Sequence, residues 1–485
     1  VKVHVVDRIN STLPDDDSHP YRTGAWKPNV VEYDATDLDV IGEIPADLQG
    51  VYLRNTENPV HDAIGLYHPF DGDGMLHSIG FSNGEAVYRN RFIRTDGFLA
   101  EQHAAEPLWA GLLAMPSDSK RDDGWGARGR MKDASSTDVV VHRGRALTSF
   151  YQCGDLYAHD PNTLEPLGKE TWNGAFPNEG ISAHTKVDEH TGELLVFNYS
   201  KDAPYMHYGV VDAAGDLAHY TPIPLPGPRL PHDMAFTERY AILNDMPLFW
   251  DPALLAQGAH IPRFFPDVPT RFAVIPRRGT ERDIVWFEAE PTYVLHWINA
   301  YEDGDEIVLD GFFQRHPEPP KQKDAPKFTS IYRYLDLHAL DTHAHRWRLN
   351  LATGQTKEED LSESVTEFGM ISAAHGGRAY RFTYNMTGVK GWFLFDGVVK
   401  HDVVTGTEQR YAFDDGVFGS ETPFAPRPNA TAEDDGYLVT FTTDVNNDRS
   451  ECLILDAQDI AAGPVARVRL PERISSGTHS CWTRC

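Results

Sequence analysis

The chain has 485 residues, 41% hydrophobic and 24% charged, enough apolar material for a large buried core and with no low-complexity stretch of the kind that stays disordered. Its formal net charge of -28, from 44 basic and 72 acidic residues, repels phosphate backbones, and no basic stripe offsets it, which excludes nucleic acid as a partner. The four cysteines, Cys153, Cys452, Cys481 and Cys485, form no CxxC pair, which argues against a disulfide scaffold and a zinc ribbon alike.

The opening VKVHVVDRIN has no basic segment leading into an apolar run. No window approaches the ~18 to 20 apolar residues of a membrane helix, so the expected compartment is the cytoplasm. In chain order, the first helical signal is AEQHAAEPLWAGLLAM from Ala100, inside an insertion at about 100–130. Turn-punctuated hairpins follow at LYAHDPNTLEPLG from Leu156, KVDEHTGELLVFNYS from Lys186 and VVDAAGDLAHYTPI from Val210. A second insertion at about 246–272 carries DPALLAQGA from Asp251 as its helical part. Further hairpins lie at WRLNLATGQTK from Trp347 and VVKHDVVTGTEQRYAF from Val398.

Short strands recurring along the whole chain without long helical periodicity predict an all-β fold. A propeller of four-stranded blades, one domain over residues 1–485 with the two insertions as a cap, is the natural form at this length, and an irregular pair of β-sandwiches is the alternative. The stretch MPLFWDPALLAQGAHIPRFF from Met246 is rich in apolar residues and is expected to rim a tunnel, lie buried in the cap or rest on a membrane surface. No feature sets an oligomeric state.

Of 22 histidines, four stand directly beside strand-like segments: His184 in GISAHTKVD, His232 in LPHDMAFTERYAIL, His296 in TYVLHWINAYEDG and His479 in SSGTHSCW. Their separations of 48, 64 and 183 residues are far too long for a local finger, whereas separate blades of a propeller can each project one residue to a shared centre. Four neutral imidazoles suit a borderline metal such as iron and leave positions open for dioxygen.

The surrounding stretches resemble the carotenoid cleavage oxygenase family, which includes carotenoid, apocarotenoid, lignostilbene and isoeugenol-type oxygenases. The resemblance runs through GEIPADLQGVYLRNTENP from Gly42, HPFDGDGMLHSIGF from His68, SAHTKVDEHTGEL, PHDMAFTERYAIL, VLHWINAYEDGDEIVLD, ETPFAPRP from Glu421, EDDGYLVTF from Glu433 and THSCW. It implies a seven-bladed β-propeller with a helical and loop cap over Fe(II) held by His184, His232, His296 and His479. The implied activity is cleavage by dioxygen of a carbon-carbon double bond in an apolar carotenoid or apocarotenoid-like substrate, giving two carbonyl products. A stilbenoid or phenylpropenoid alkene is the alternative.

By the same resemblance, carboxylates hold three of the imidazoles, which fixes ring orientation and raises basicity. The matching positions are Glu367 for His296, Glu421 for His479 and Gln152 for His232, with Gln152 standing where the family usually has Glu. Gln keeps an acceptor but removes a negative charge, and Asp155 is the alternative for that role. Members acting on hydroxystilbenes or isoeugenol carry a Lys just before that Glu and a Tyr in the cap. Here those positions hold Tyr151 and Leu113, so a phenol-activating pair is expected to be absent, and Lys132 in GRMKDASSTD is expected to sit on a solvated loop.

Other features have local explanations. Asp233, next to His232, invites a two-His-one-carboxylate site but lacks the compact His-x-Asp/Glu element and is expected to be structural. His338, His343 and His345 in LHALDTHAHRW are expected at the surface. FDGDGM from Phe70 lacks the further ligands of a calcium loop and is expected to form a tight turn.

Overall fold

Alternating runs broken by Asp, Asn, Thr and Gly fold as antiparallel hairpins at each place where the pattern recurs. Tyr157–His159 pairs with Pro166–Lys169, Lys186–Asp188 with Glu193–Tyr199, Met206–Val211 with Leu217–Pro222, and Thr342–Asn350 with Thr356–Met370. The computed structural model describes residues 1–321 and 330–484, so Cys485 lies outside the described residues. It divides into two units, Val1–Thr171 with the segment from Gln409, and Trp172–Glu408.

In the first unit the two ends of the chain are stitched by sheet hydrogen bonds. Ser480–Thr483 adds antiparallel to Gly50–Glu57, with Ser480 opposite Arg54, and Val40–Gly42 adds to Pro464–Arg469. Gly50 permits this closure: at φ 149°, a Cβ there would come within 2.4 Å of the Thr483 carbonyl. Beneath the sheets Tyr52, Tyr88 and Phe441 pack edge to face, with ring centroids 4.8 Å and 5.9 Å apart for the two pairs with Phe441.

The second unit begins with two four-stranded antiparallel sheets in simple meander order, Lys186–Asp188 through Leu217–Pro222 and Ala235–Phe236 through Val285–Ala289. A longer sheet starts at Trp297–Asp303. Its strand Thr356–Met370 changes partner along its length: residues to Asp360 and, past a bulge, Val365 pair with Thr342–Asn350, and residues from Thr366 with Phe382–Gly388. The core holds Phe272, Trp297 and Trp347 at 5.4 to 5.8 Å between centroids, near perpendicular. The all-β expectation is met by sheets throughout both units.

The first insertion is less helical than its sequence predicts. The helix runs Asp96–Ala104, capped by the Thr95 hydroxyl accepting from Phe98 N at 3.0 Å, and ends where Ala105 turns left-handed at φ 54°. Pro107 follows, and a proline cannot supply the N–H that would carry the helix into LWAGLLAM. The second insertion is a hairpin, Leu248–Trp250 against Pro262–Phe264, with one helical turn at Pro252–Leu255 capped by Asp251. Its aromatic residues turn inward: Phe249 stacks on Phe265 at 4.4 Å under the Arg229 guanidinium, whereas Ile261 is exposed. Residues 270–272 of the predicted insertion belong instead to the core strand Thr270–Pro276. Among the described residues no helix is long and apolar enough to cross a membrane.

A buried ion pair fixes the longer sheet. Arg346 donates through Nε and Nη2 to both oxygens of Asp310 at 2.8 Å each, and the Tyr380 hydroxyl donates to the same carboxylate at 2.6 Å. Asp310 has no solvent exposure. Arg346→Met therefore leaves a buried carboxylate with only the Tyr380 hydroxyl to offset its charge, and a loss of about 3–5 kcal/mol is expected, read as a lower urea midpoint. A midpoint unchanged from wild type would show that the pair contributes nothing.

Candidate metal centre

Each of the four singled-out histidines stands just ahead of an edge strand. His184 precedes Lys186–Asp188, His232 precedes Ala235–Phe236, His296 abuts Trp297–Asp303 and His479 abuts Ser480–Thr483. An imidazole at that position projects from the end of a sheet with its backbone anchored by the ladder that follows.

Three of these rings pack together in the second unit. The His184 and His232 centroids are 4.7 Å apart, His184 and His296 4.9 Å, and His232 and His296 5.1 Å. The Nε2 atoms of His184 and His232 approach to 3.1 Å. His184 holds its place at φ 64°, a left-handed conformation that costs a non-glycine residue on the order of 1–3 kcal/mol and persists where the surroundings demand it.

Glu367 fixes His296. One carboxylate oxygen accepts from His296 Nδ1 at 2.6 Å and the other from its backbone N at 3.2 Å, and Glu367 has no solvent exposure. With the ring proton committed to Nδ1, Nε2 presents its lone pair, the form needed to bind a metal. Glu421 acts likewise on His479, more loosely: Nδ1 lies 3.3 Å from one oxygen while Ser480 N donates to the other at 2.7 Å. Burial disfavours a charged His479, but the Glu421 carboxylate outweighs it and holds the ring's pKa up at about 9. His184, His232 and His296 thus form a buried group within the second unit, and His479 is buried in the first. Imidazoles oriented by buried carboxylates are donors that fit a borderline divalent metal such as iron.

The neighbouring residues divide into those placed as expected and those not. Asp233 is structural: buried, it accepts from Trp297 N at 2.8 Å and pairs with Lys186 at 2.7 Å. Asp155 is engaged by Lys169 at 2.9 Å. The Phe70 stretch makes the tight turn expected, with Asp71 accepting from His68 N and Leu112 N. Gln152 is buried, and its amide donates to the Tyr151 hydroxyl at 3.2 Å.

Three expectations are corrected. Lys132 is not on a solvated loop: Nζ lies 2.8 Å from Asp73 and 2.7 Å from Glu101, both buried, at the wall of a small cleft that His61, Tyr67, Phe70, Trp109 and Phe150 help to line. Leu113, placed by sequence in the pocket, is exposed and does not line that cleft. Tyr151 is buried, packed on Phe70 and Phe150 at 5.6 Å and 4.9 Å. His343 and His345 are buried rather than at the surface, because alternation puts them on the inner face of Thr342–Asn350, whereas His338 is exposed as expected.

The family model described as retinal pigment epithelial membrane protein matches residues 26–484. The carotenoid 9,10(9',10')-cleavage dioxygenase of Crocus sativus is 30% identical over 514 residues, covering 99% of this chain and 92% of that one. The isoeugenol monooxygenase of Pseudomonas nitroreducens is 30% identical, covering 96% and 98%. Among solved structures, the lignostilbene dioxygenase of Pseudomonas brassicacearum superposes with a TM-score of 0.85 at 26% identity, over 98% of this chain and 100% of that one. The cobalt-substituted apocarotenoid oxygenase of Synechocystis does so with 0.81 at 26% identity, over 94% and 96%. Relatives that span this chain almost end to end, and a family match that takes in all four histidines, make it a member of the retinal pigment epithelial membrane protein family, the carotenoid cleavage oxygenases.

Proposed function

We propose that the chain is a non-haem iron dioxygenase in which His184, His232, His296 and His479 hold one Fe(II), and that it cleaves one carbon-carbon double bond of a carotenoid or apocarotenoid-like substrate. The observation that carries this reading is the buried packing of the His184, His232 and His296 rings in the second unit, and it is supported by His479, buried and held by Glu421 in the first. An alkene and one dioxygen give two carbonyl compounds, with both oxygen atoms retained in the products and no proton consumed. The iron, when bound, supplies activation of dioxygen. The chain supplies the rest: Glu367 and Glu421 keep the Nδ1 protons of His296 and His479 away from the metal face, and burial of the four rings excludes bulk water.

A second reading, cleavage of a stilbenoid or phenylpropenoid alkene, is favoured by Lys132. Two of its three ammonium protons go to Asp73 and Glu101, and the third is available to a polar group in a cleft that Tyr67, Phe70, Trp109 and Phe150 help to line. Burial alone would lower the Lys132 pKa, but the two carboxylates outweigh it and hold the ammonium protonated. A phenol or terminal carbonyl on an otherwise apolar substrate would find its donor there.

The test is anaerobic reconstitution with Fe(II) followed by oxygen uptake over apocarotenals, carotenoids, resveratrol-like stilbenes and isoeugenol. Uptake with one class, matched to two carbonyl products, is the expected result and selects between the readings. A chain that holds no iron after reconstitution would overturn both.

A further inference from the structure

A second set of ligand-type side chains converges where strands Thr342–Asn350 and Thr356–Met370 pair. His343 and His345, two residues apart, project from the same side of the first strand. The register shifts between them: His345 lies opposite Asp360, but His343 lies opposite Val365. The extra residues 361–364 bulge, and Asp360 meets both rings. Its Oδ1 lies 2.9 Å from His343 Nε2 and 2.6 Å from His345 Nδ1.

The outer nitrogens of both rings already face acceptors. His343 Nδ1 is 3.1 Å from the Asp341 backbone carbonyl, and His345 Nε2 is 3.2 Å from Glu358 Oε2. A carbonyl and a carboxylate have no proton to give, so the tautomer with N–H on each outer nitrogen satisfies both outer contacts. A neutral imidazole has a single N–H, and the inner nitrogens then turn lone pairs toward the lone pairs of Asp360 Oδ1. Three lone pairs at 2.6 to 2.9 Å repel one another unless positive charge sits among them. A single divalent cation, held by the two inner nitrogens and Asp360 Oδ1 at ring positions 1% and 7% exposed, supplies that charge. Inner nitrogen on a metal, outer N–H on a carboxylate or carbonyl, is also how metal-ligating histidines are held.

We propose that His343 Nε2, His345 Nδ1 and Asp360 Oδ1 form a divalent-cation site of the zinc type, separate from the four-histidine group, with water as the fourth ligand. The mixed nitrogen and oxygen set favours zinc over magnesium or calcium, which take oxygen ligands. Arg315 Nη2 donates to the other Asp360 oxygen at 3.0 Å, which leaves Oδ1 to ligate and fixes the carboxylate plane. Phe313 and Trp347 wall the His345 ring, with centroids 4.8 Å and 4.5 Å away. Zinc at ~2.0–2.1 Å from each ligand sets neighbouring ligand atoms about 3.3 Å apart. Filling therefore moves Asp360, the most exposed of the three, outward by roughly half an ångström.

The test uses the full-length, iron-loaded chain. After incubation with zinc chloride and gel filtration, elemental analysis should find one zinc per chain beside the iron, and zinc should raise the thermal midpoint. Asp360→Asn, a substitution at a partly exposed position, should lose that zinc and the thermal shift while keeping its iron and its oxygen uptake. His345→Gln gives the same loss by removing a nitrogen ligand. Zinc content and thermal shift equal in the wild type and both variants would overturn the proposal. So would a wild type that takes up no zinc while the His343 and His345 ring signals show both nitrogens protonated, the imidazolium pair being then the occupant.

Discussion

Replacing His296 with Ala should leave the chain folded but without iron and without oxygen uptake, and replacing Glu367 with Gln should weaken Fe(II) binding by about 10- to 100-fold. The first change deletes a ligand. The second keeps the shape of the side chain and one acceptor oxygen, so the backbone N–H groups of His296 and Phe368 that Glu367 also receives are not all stranded. What it removes is the negative charge 2.6 Å from Nδ1, which sets the tautomer and raises the basicity of the opposite nitrogen. The companion substitution Glu421→Gln should cost less, because its contact to His479 is 3.3 Å and one of its oxygens serves Ser480 N instead. Fe(II) titration under anaerobic conditions measures all three. Equal affinities for wild type and Glu367→Gln, or a larger loss at Glu421 than at Glu367, would break the link between carboxylate geometry and metal binding.

The parts of this arrangement that the sequence reveals are those encoded locally. A hairpin announces itself in ten to fifteen residues, because strand alternation and turn chemistry lie next to each other, and those named in the chain are all present. The four histidines are singled out by their positions beside strand-like segments together with the family resemblance. Lys132 was misjudged because its neighbours in sequence, Arg130 and Asp133, are charged, while its partners Asp73 and Glu101 come from 59 and 31 residues away. The inner position of His343 and His345 was obscured by the polar run TKEEDLSES, which reads as surface but covers them through a bulge that no local pattern predicts. Helix length failed for a simpler reason: Pro107 outweighs the apolar spacing on either side of it.

Lys132→Met should show two separable effects, one on stability and one on substrate choice. In the wild type the ammonium sits between two carboxylates that are each only 4% exposed. Removing it strands both, and a loss of about 3–5 kcal/mol is expected near pH 8. The pH dependence has a definite sign. Burial pushes the Asp73 carboxyl above its ordinary 3.8, with Lys132 opposing that rise. Without the lysine its folded-state value climbs further. An acid whose folded pKa is raised penalises the fold only once ionised, so the penalty is absent below about 3.8 and grows as pH rises through the folded value. The gap in thermal midpoint between variant and wild type should therefore narrow toward pH 4 and widen toward pH 8, and a gap independent of pH would show that the carboxylates do not feel the lysine. Activity gives the second readout, taken at low temperature where the variant is folded. A hydrogen bond from a charged donor is worth ~1.5–3 kcal/mol, so KM for stilbenes, isoeugenol or apocarotenals that place a polar end in the cleft should rise by about 10- to 100-fold. An all-hydrocarbon carotene has no group for Lys132 to meet, and its kinetics should stay within about twofold once the loss of folded chain is allowed for. Unchanged KM for every polar-ended substrate would remove Lys132 from the cleft's chemistry and leave it as an internal brace between Asp73 and Glu101.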